Sequence, residues 1–177
     1  MRLFLGINIP QSERESLYKQ IIPLIRKYPQ FKWINPELYH ASIQFFGEVE
    51  DIKKLSDSIK TTLFDKEKFH LYGLGLGLFQ ASDLVLHMAY RREKKIDEIV
   101  DSLEKTYPTF VKQRAFIFHT AFARAPYSSK QQYFLLQKIL ERFPIEISYP
   151  VNSLALMGST KGSEGRKYQI LEEFPLI

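Results

Sequence analysis

The chain has 177 residues, 45% of them hydrophobic and 25% charged, which is the composition of one ordinary folded domain and excludes a wholly disordered chain. With 14 Phe, 10 Tyr and 1 Trp it has ample apolar surface for a core, and with no Cys it excludes disulfide scaffolds, cysteine-ligated zinc, iron–sulfur clusters and thiol nucleophiles. A formal charge of +5 fits either a solvated surface rich in Lys or a polyanionic partner such as nucleic acid.

Residues 2–9 read as a strand that runs into Pro10, not as a signal peptide. No stretch approaches the roughly 18 apolar residues of a membrane span, so a cytoplasmic protein with no membrane contact is expected. Residues 12–28 read as a helix opened by a capping box of Ser12 and Glu15, with Leu17, Ile21, Leu24, Ile25 and Tyr28 at helical spacing and a kink expected at Pro23. A short strand at 31–34 stops at Asn35-Pro36, and a second at 39–46 closes on Gly47. Residues 51–64 are expected to be helical on a stripe of Ile52, Leu55, Ile59 and Leu63.

Two strands follow at 69–79 and 83–90, turning near Gln80-Ala81-Ser82. Glycines 73, 75 and 77 match neither a dinucleotide fingerprint nor a P-loop. They read as one face of a strand, leaving room opposite Leu74, Leu76 and Leu78. Residues 92–106 read as a helix whose first residues belong to the charge run 91–95, a solvated face or an RNA backbone contact. A strand at 115–123, a helix at 129–142 and strands at 145–149, 151–157 and 166–172 complete the chain. Gly158, Gly162 and Gly165 form a glycine-rich connection flanked by Lys161, Arg166 and Lys167, which is either a plain hairpin loop or a segment that closes over a ligand.

Each half of this α+β pattern holds one aromatic-rich strand with a histidine: His40-Ala41-Ser42-Ile43-Gln44-Phe45-Phe46 and His119-Thr120-Ala121-Phe122-Ala123-Arg124. Strand side chains alternate faces. His40, Ser42 and Gln44 then share a cleft face, with Ala41, Ile43 and Phe45 on the core face. In the second strand His119, Ala121 and Ala123 share a face opposite Thr120 and Phe122. Two histidines converging on one cleft suit the opening of a cyclic phosphodiester. One takes a proton from water and the other protonates the leaving alkoxide, with a hydroxyl two residues on donating to a phosphate oxygen. His70 and His87 have no hydroxyl at that spacing and are assigned to structure.

These residues resemble the 2H phosphoesterases, specifically the RNA 2′,3′-cyclic phosphodiesterases also called 2′-5′ RNA ligases (LigT-like). That family carries two His-x-Thr/Ser-x motifs. The likeness covers His40–Ile43 with its continuation to Val49, the lead-in Lys32–Glu37, the opening Arg2–Ile7, His119–Arg124 and the tail Lys167–Leu176. The resemblance implies a single domain, 1–177, of two pseudo-symmetric lobes. Two antiparallel sheets would face each other across a central cleft, with helices outside. It implies His40 as the acid to the 3′ oxygen, His119 as the activator of water, Ser42 on the phosphate and Arg124 near phosphate or base. The product would be a 2′-phosphate, with 2′-5′ ligation as the reverse reaction. No metal, cofactor or protein partner is implied, and the substrates would be RNA ends or small cyclic nucleotides.

One departure stands out. Ala121 occupies the place of the second motif's Thr or Ser. A lost phosphate donor can cost about 10²–10³ in rate, so a catalytically weak or degenerate member that binds RNA or a nucleotide is the alternative. Arg124 also has the wrong parity to share a face with His119 in a regular strand.

Overall fold

The computed structural model describes residues 1–106, 117–126, 129–162 and 165–177, and the side chains of all of these except 165 and 166. Among the described residues, nine strands and four helices form an α+β fold. In chain order they are β1 (Arg2–Asn8), α1 (Gln11–Lys27), β2 (Lys32–Trp33), β3 (His40–Gly47), α2 (Ile52–Leu63), β4 (Phe69–Gln80), β5 (Leu84–Tyr90), α3 (Lys94–Thr106), β6 (His119–Ala125), α4 (Lys130–Glu141), β7 (Ser148–Val151), β8 (Ser153–Gly162) and β9 (Gly165–Pro175). None of the described helices is long and apolar enough to cross a membrane.

The strands form one path in the order β7-β4-β5-β6-β3-β1-β8-β9, with β2 on β6, and every pairing is antiparallel. The two sheets expected from the sequence are thus joined, and the join is narrow: β3 meets β6 through the single register pair Ala41–Thr120. Reading outward from that bridge gives β6-β5-β4-β7 on one side and β3-β1-β8-β9 on the other.

β1 lies between β3 and β8, which explains five consecutive buried residues, Leu3–Ile7. Leu3, Leu5 and Ile7 enter the main core, and Phe4 joins a separate cluster with Ala155 and Met157 on the opposite face. Helices supply the rest of the core through one stripe each: Leu17, Ile21 and Leu24 from α1, Leu55, Ile59 and Leu63 from α2, Ile96, Ile99 and Leu103 from α3. Within that core the Tyr90 and Thr120 hydroxyls stand 2.9 Å apart, and Tyr90 makes a second 2.9 Å hydroxyl contact with Tyr149.

Several local expectations change. α1 begins at Gln11 after Pro10, so Ser12 lies inside the first turn and no side chain caps the helix. The capping box belongs to α4, between Ser129 and Gln132. In β4 a register shift between Gly73 and Gly75 turns Leu74 outward to 67% exposure, while Leu76 and Leu78 stay buried. β8 and β9 pair through Lys161–Arg166 and Gly162–Gly165, so the glycine-rich connection is strand almost throughout, and its tip, 163–164, lies outside the described residues. So does the expected start of the second histidine strand at 115–116. The charge run 91–95 is partly neutralised by Arg92–Asp97 at 2.8 Å and Lys95–Glu67 at 2.7 Å, as a solvated face would be.

Gly6 sits where β1 passes β3 closely: a Cβ there would lie 2.8 Å from the Ala41 carbonyl oxygen. Gly6→Ala is expected to push the two central strands apart and cost about 1–3 kcal/mol. Thermal unfolding checks this, at about 2–4 °C per kcal/mol for a chain of this size.

Candidate functional site

The cleft lies where the two histidine strands meet. His40, Ser42, His119, Ala121 and Arg124 line one cavity of about 270 Å³, together with Arg2, Phe4, Phe45 and Tyr168. The four site residues expected from sequence are therefore brought together. Carried one residue either way, the Ala41–Thr120 register sets Ser42 beside His119 and Ala121 beside His40.

Arg124 reaches the cleft because β6 carries a bulge. The β5–β6 register steps from Leu86–Ala123 to His87–Ala121, which leaves Phe122 without a cross-strand partner in that ladder. Phe122 and Ala123 are both buried on the core side, and Arg124 emerges on the face of His119. β3 does the same. Its register with β1 steps from Leu5–Gln44 to Gly6–Ser42, leaving Ile43 without one. In both strands the extra residue is the third after the histidine. Phe45 is thereby moved from the core face expected for it to the cleft, 45% exposed, and Gln44 does not line the cavity. The bulge comes too late in β6 to turn Thr120, whose buried hydroxyl is engaged by Tyr90, so nothing on β6 replaces the hydroxyl missing at Ala121.

Both imidazoles are tethered alike. His40 Nδ1 lies 2.7 Å from the Leu38 carbonyl oxygen and His119 Nδ1 2.6 Å from that of Ile117. A carbonyl only accepts, so each Nδ1 carries the proton and donates it, and Nε2 is the nitrogen left to act on a ligand. Each ring is also boxed by two others. His40 packs against Phe4 (5.0 Å between centroids) and Tyr168 (4.7 Å), and His119 against Phe79 (4.9 Å) and His87 (5.4 Å).

Burial holds both histidines below the ordinary value of 6.5, against the opposing pull of their carbonyl partners. The charge of Arg124 lowers His119 further, and His119 does the same to His40. His87 is pushed down to about 4, first by burial and then by His119, so it is neutral near pH 7.

Sequence reasoning missed Phe45, Tyr168 and Arg2. Arg2 was within reach, since it alternates with Phe4 and Gly6 along a strand whose other face is Leu3, Leu5 and Ile7. Phe45 was hidden by the bulge. Tyr168 lies in the tail that resembles the family, but its place in the cleft depends on the β8–β9 register.

No protein-family model matches the chain. Solved structures do match over its whole length. TT0787 of Thermus thermophilus superposes with a TM-score of 0.77 at 21% identity, covering 99% of this chain and 98% of that one. LigT of E. coli complexed with 3′-AMP gives 0.75 at 19% identity, with 99% and 97% covered. Usb1 of Kluyveromyces marxianus gives 0.62 at 12% identity, with 99% and 97% covered. The chain has the LigT-like fold. All three neighbours are 2H phosphoesterase structures.

The lowered histidines link stability to pH. An unfolded chain takes up protons near 6.5 that folded His87 refuses until about 4. Stability should therefore fall as pH drops through that window, by about 3 kcal/mol from His87 alone. Denaturant unfolding from pH 7 to pH 4 checks this, and His87→Phe should flatten the decline.

Proposed function

We propose that the protein is a 2H-type phosphodiesterase that opens RNA 2′,3′-cyclic phosphates to 2′-phosphates by two-histidine acid–base catalysis without a metal ion. One observation carries this reading: two imidazoles line one cleft, each with Nδ1 tied to a carbonyl two residues back and Nε2 left for a ligand. In the reaction, His119 Nε2 takes a proton from water as the water oxygen attacks phosphorus. The bond from phosphorus to the 3′ oxygen breaks, and that oxygen takes the proton of His40 Nε2. His119 ends protonated and His40 neutral, and exchange with solvent resets both.

The charge of Arg124 supports the choice of His119 as the base. Arg124 disfavours a proton already resting on His119, which suits the base. Ser42, beside His119 in the register, donates to a phosphate oxygen, and the guanidinium of Arg124 offers further donors to the anion. Phe45 offers a flat, half-exposed ring beside Phe4 (5.6 Å) on which a nucleobase stacks. E. coli LigT has been crystallised with 3′-AMP, phosphate, ATP and NADP+, so phosphate and small nucleotides bind a protein of this fold. Ligation to a 2′-5′ linkage is the same chemistry run backwards.

Ala121 favours a second reading. With a hydroxyl in one motif where the resembled family has one in each, a protein that holds RNA or a nucleotide without turning it over is the competing reading. Both readings are tested with a short RNA ending in a 2′,3′-cyclic phosphate, EDTA present and products resolved by chromatography. The expected result is a 2′-phosphate product, lost by at least about 10²-fold in His40→Ala and in His119→Ala. Turnover unchanged in either variant would remove that histidine from the mechanism. Salt-sensitive binding without product would establish the second reading instead.

A further inference from the structure

His87 was expected to be an ordinary structural histidine, and the register gives it a different neighbourhood. It is 5% exposed on β5, directly across from Ala121 on β6 and Gly77 on β4. Its ring occupies the room that Gly77 leaves: a Cβ there would come within 3.3 Å of His87 Cε1 and 3.4 Å of Nε2. The same ring meets His119 at 5.4 Å and Phe79 at 4.9 Å, and Phe79 meets His119 at 4.9 Å, so the three rings close a triangle.

The first half of the chain shows what this replaces. There the residue opposite Ser42 is Gly6, in the same relation to the β3 bulge as His87 is to the β6 bulge. One half thus places glycine on the neighbouring strand and a hydroxyl on the histidine strand. The other places histidine on the neighbouring strand and a methyl on the histidine strand. We propose that His87 is a positioning residue for His119, packing from β5 over Gly77 and, with Phe79, fixing the orientation of the His119 imidazole toward the cleft. It acts as a neutral ring through packing.

The proposal rests on the assignment of His119 as the base, but its decisive test does not need turnover. Among the described residues, three titratable or charged groups bear on His119: Arg124 from its own strand, His40 from β3 and His87 from β5. If His87 covers the His119 ring, removing it lets water in and relieves the desolvation that holds His119 below 6.5. NMR titration of histidine-labelled protein, with the His119 signal assigned by its loss in His119→Ala, reads this directly. In folded His87→Ala the His119 midpoint is expected to move up toward 6.5, while in His87→Phe, which keeps the ring, it is expected to stay near the wild-type value.

On the RNA substrate, His87→Ala should lower kcat by up to about 10²-fold with little change in KM, the cost of misplacing a catalytic group. His87→Gly combined with Ala121→Ser rebuilds the Gly6–Ser42 arrangement and should recover part of that loss. A His119 midpoint unchanged in His87→Ala overturns the proposal whatever the turnover, and so does a His87→Phe variant that shifts it as far as alanine does. Wild-type protein without turnover but with the expected midpoint shift would refute the proposed activity and leave the positioning role standing.

Discussion

A β-strand repeats every two residues, and both histidine strands break that repeat at the same place. Ile43 and Phe122 are each the extra residue of a bulge, three positions after His40 and His119. The functional content of the cleft depends on those two steps. Before the bulge, histidine and the residue two beyond it face the cleft. After it, the face is handed to residues that an unbroken strand would bury, Phe45 on one side and Arg124 on the other. The two bulges give the cleft an aromatic wall and a cationic wall around one pair of imidazoles.

The same arrangement accounts for the chemical character of the pair. Each histidine is fixed by a carbonyl two residues back and packed between two rings, which sets the tautomer and restricts the ring. Packing of that kind lowers proton affinity by excluding water, and the carbonyl partners offset part of that loss. Asymmetry enters through the neighbours. His119 has a guanidinium and a third histidine close by, and the rings packed against His40, Phe4 and Tyr168, are uncharged. Two similar imidazoles therefore sit in different surroundings.

Much of this was legible in the sequence. The α+β order, the helical stripes and the two histidine strands all followed from periodicity, because apolar spacing is set by the same geometry that buries those residues. His40, Ser42, His119 and Arg124 are all marked by the two motifs, and all four line the cleft. What failed was parity beyond the bulges. Phe45 was assigned to the core, and Arg124 was expected to need the strand to end or twist before it, because a bulge is a property of two paired strands and leaves no mark on either one alone. The surroundings of His87 were hidden for the same reason: it faces Ala121 and Gly77 across two ladders, 34 and 10 residues away in sequence. The Ser12–Glu15 pattern misled for a simpler reason: Pro10 starts the helix earlier than a capping serine would.

The most direct test of the central claim is a crystal structure of the protein with a nucleoside 2′-monophosphate. The phosphate is expected between the two imidazoles, within about 3 Å of Nε2 of both His40 and His119. The Ser42 hydroxyl should donate to it, Arg124 should lie alongside, and the base should rest on Phe45. A nucleotide bound elsewhere on the molecule, or a phosphate in the cleft that meets neither Nε2, would contradict the assignment of this cleft as the catalytic site.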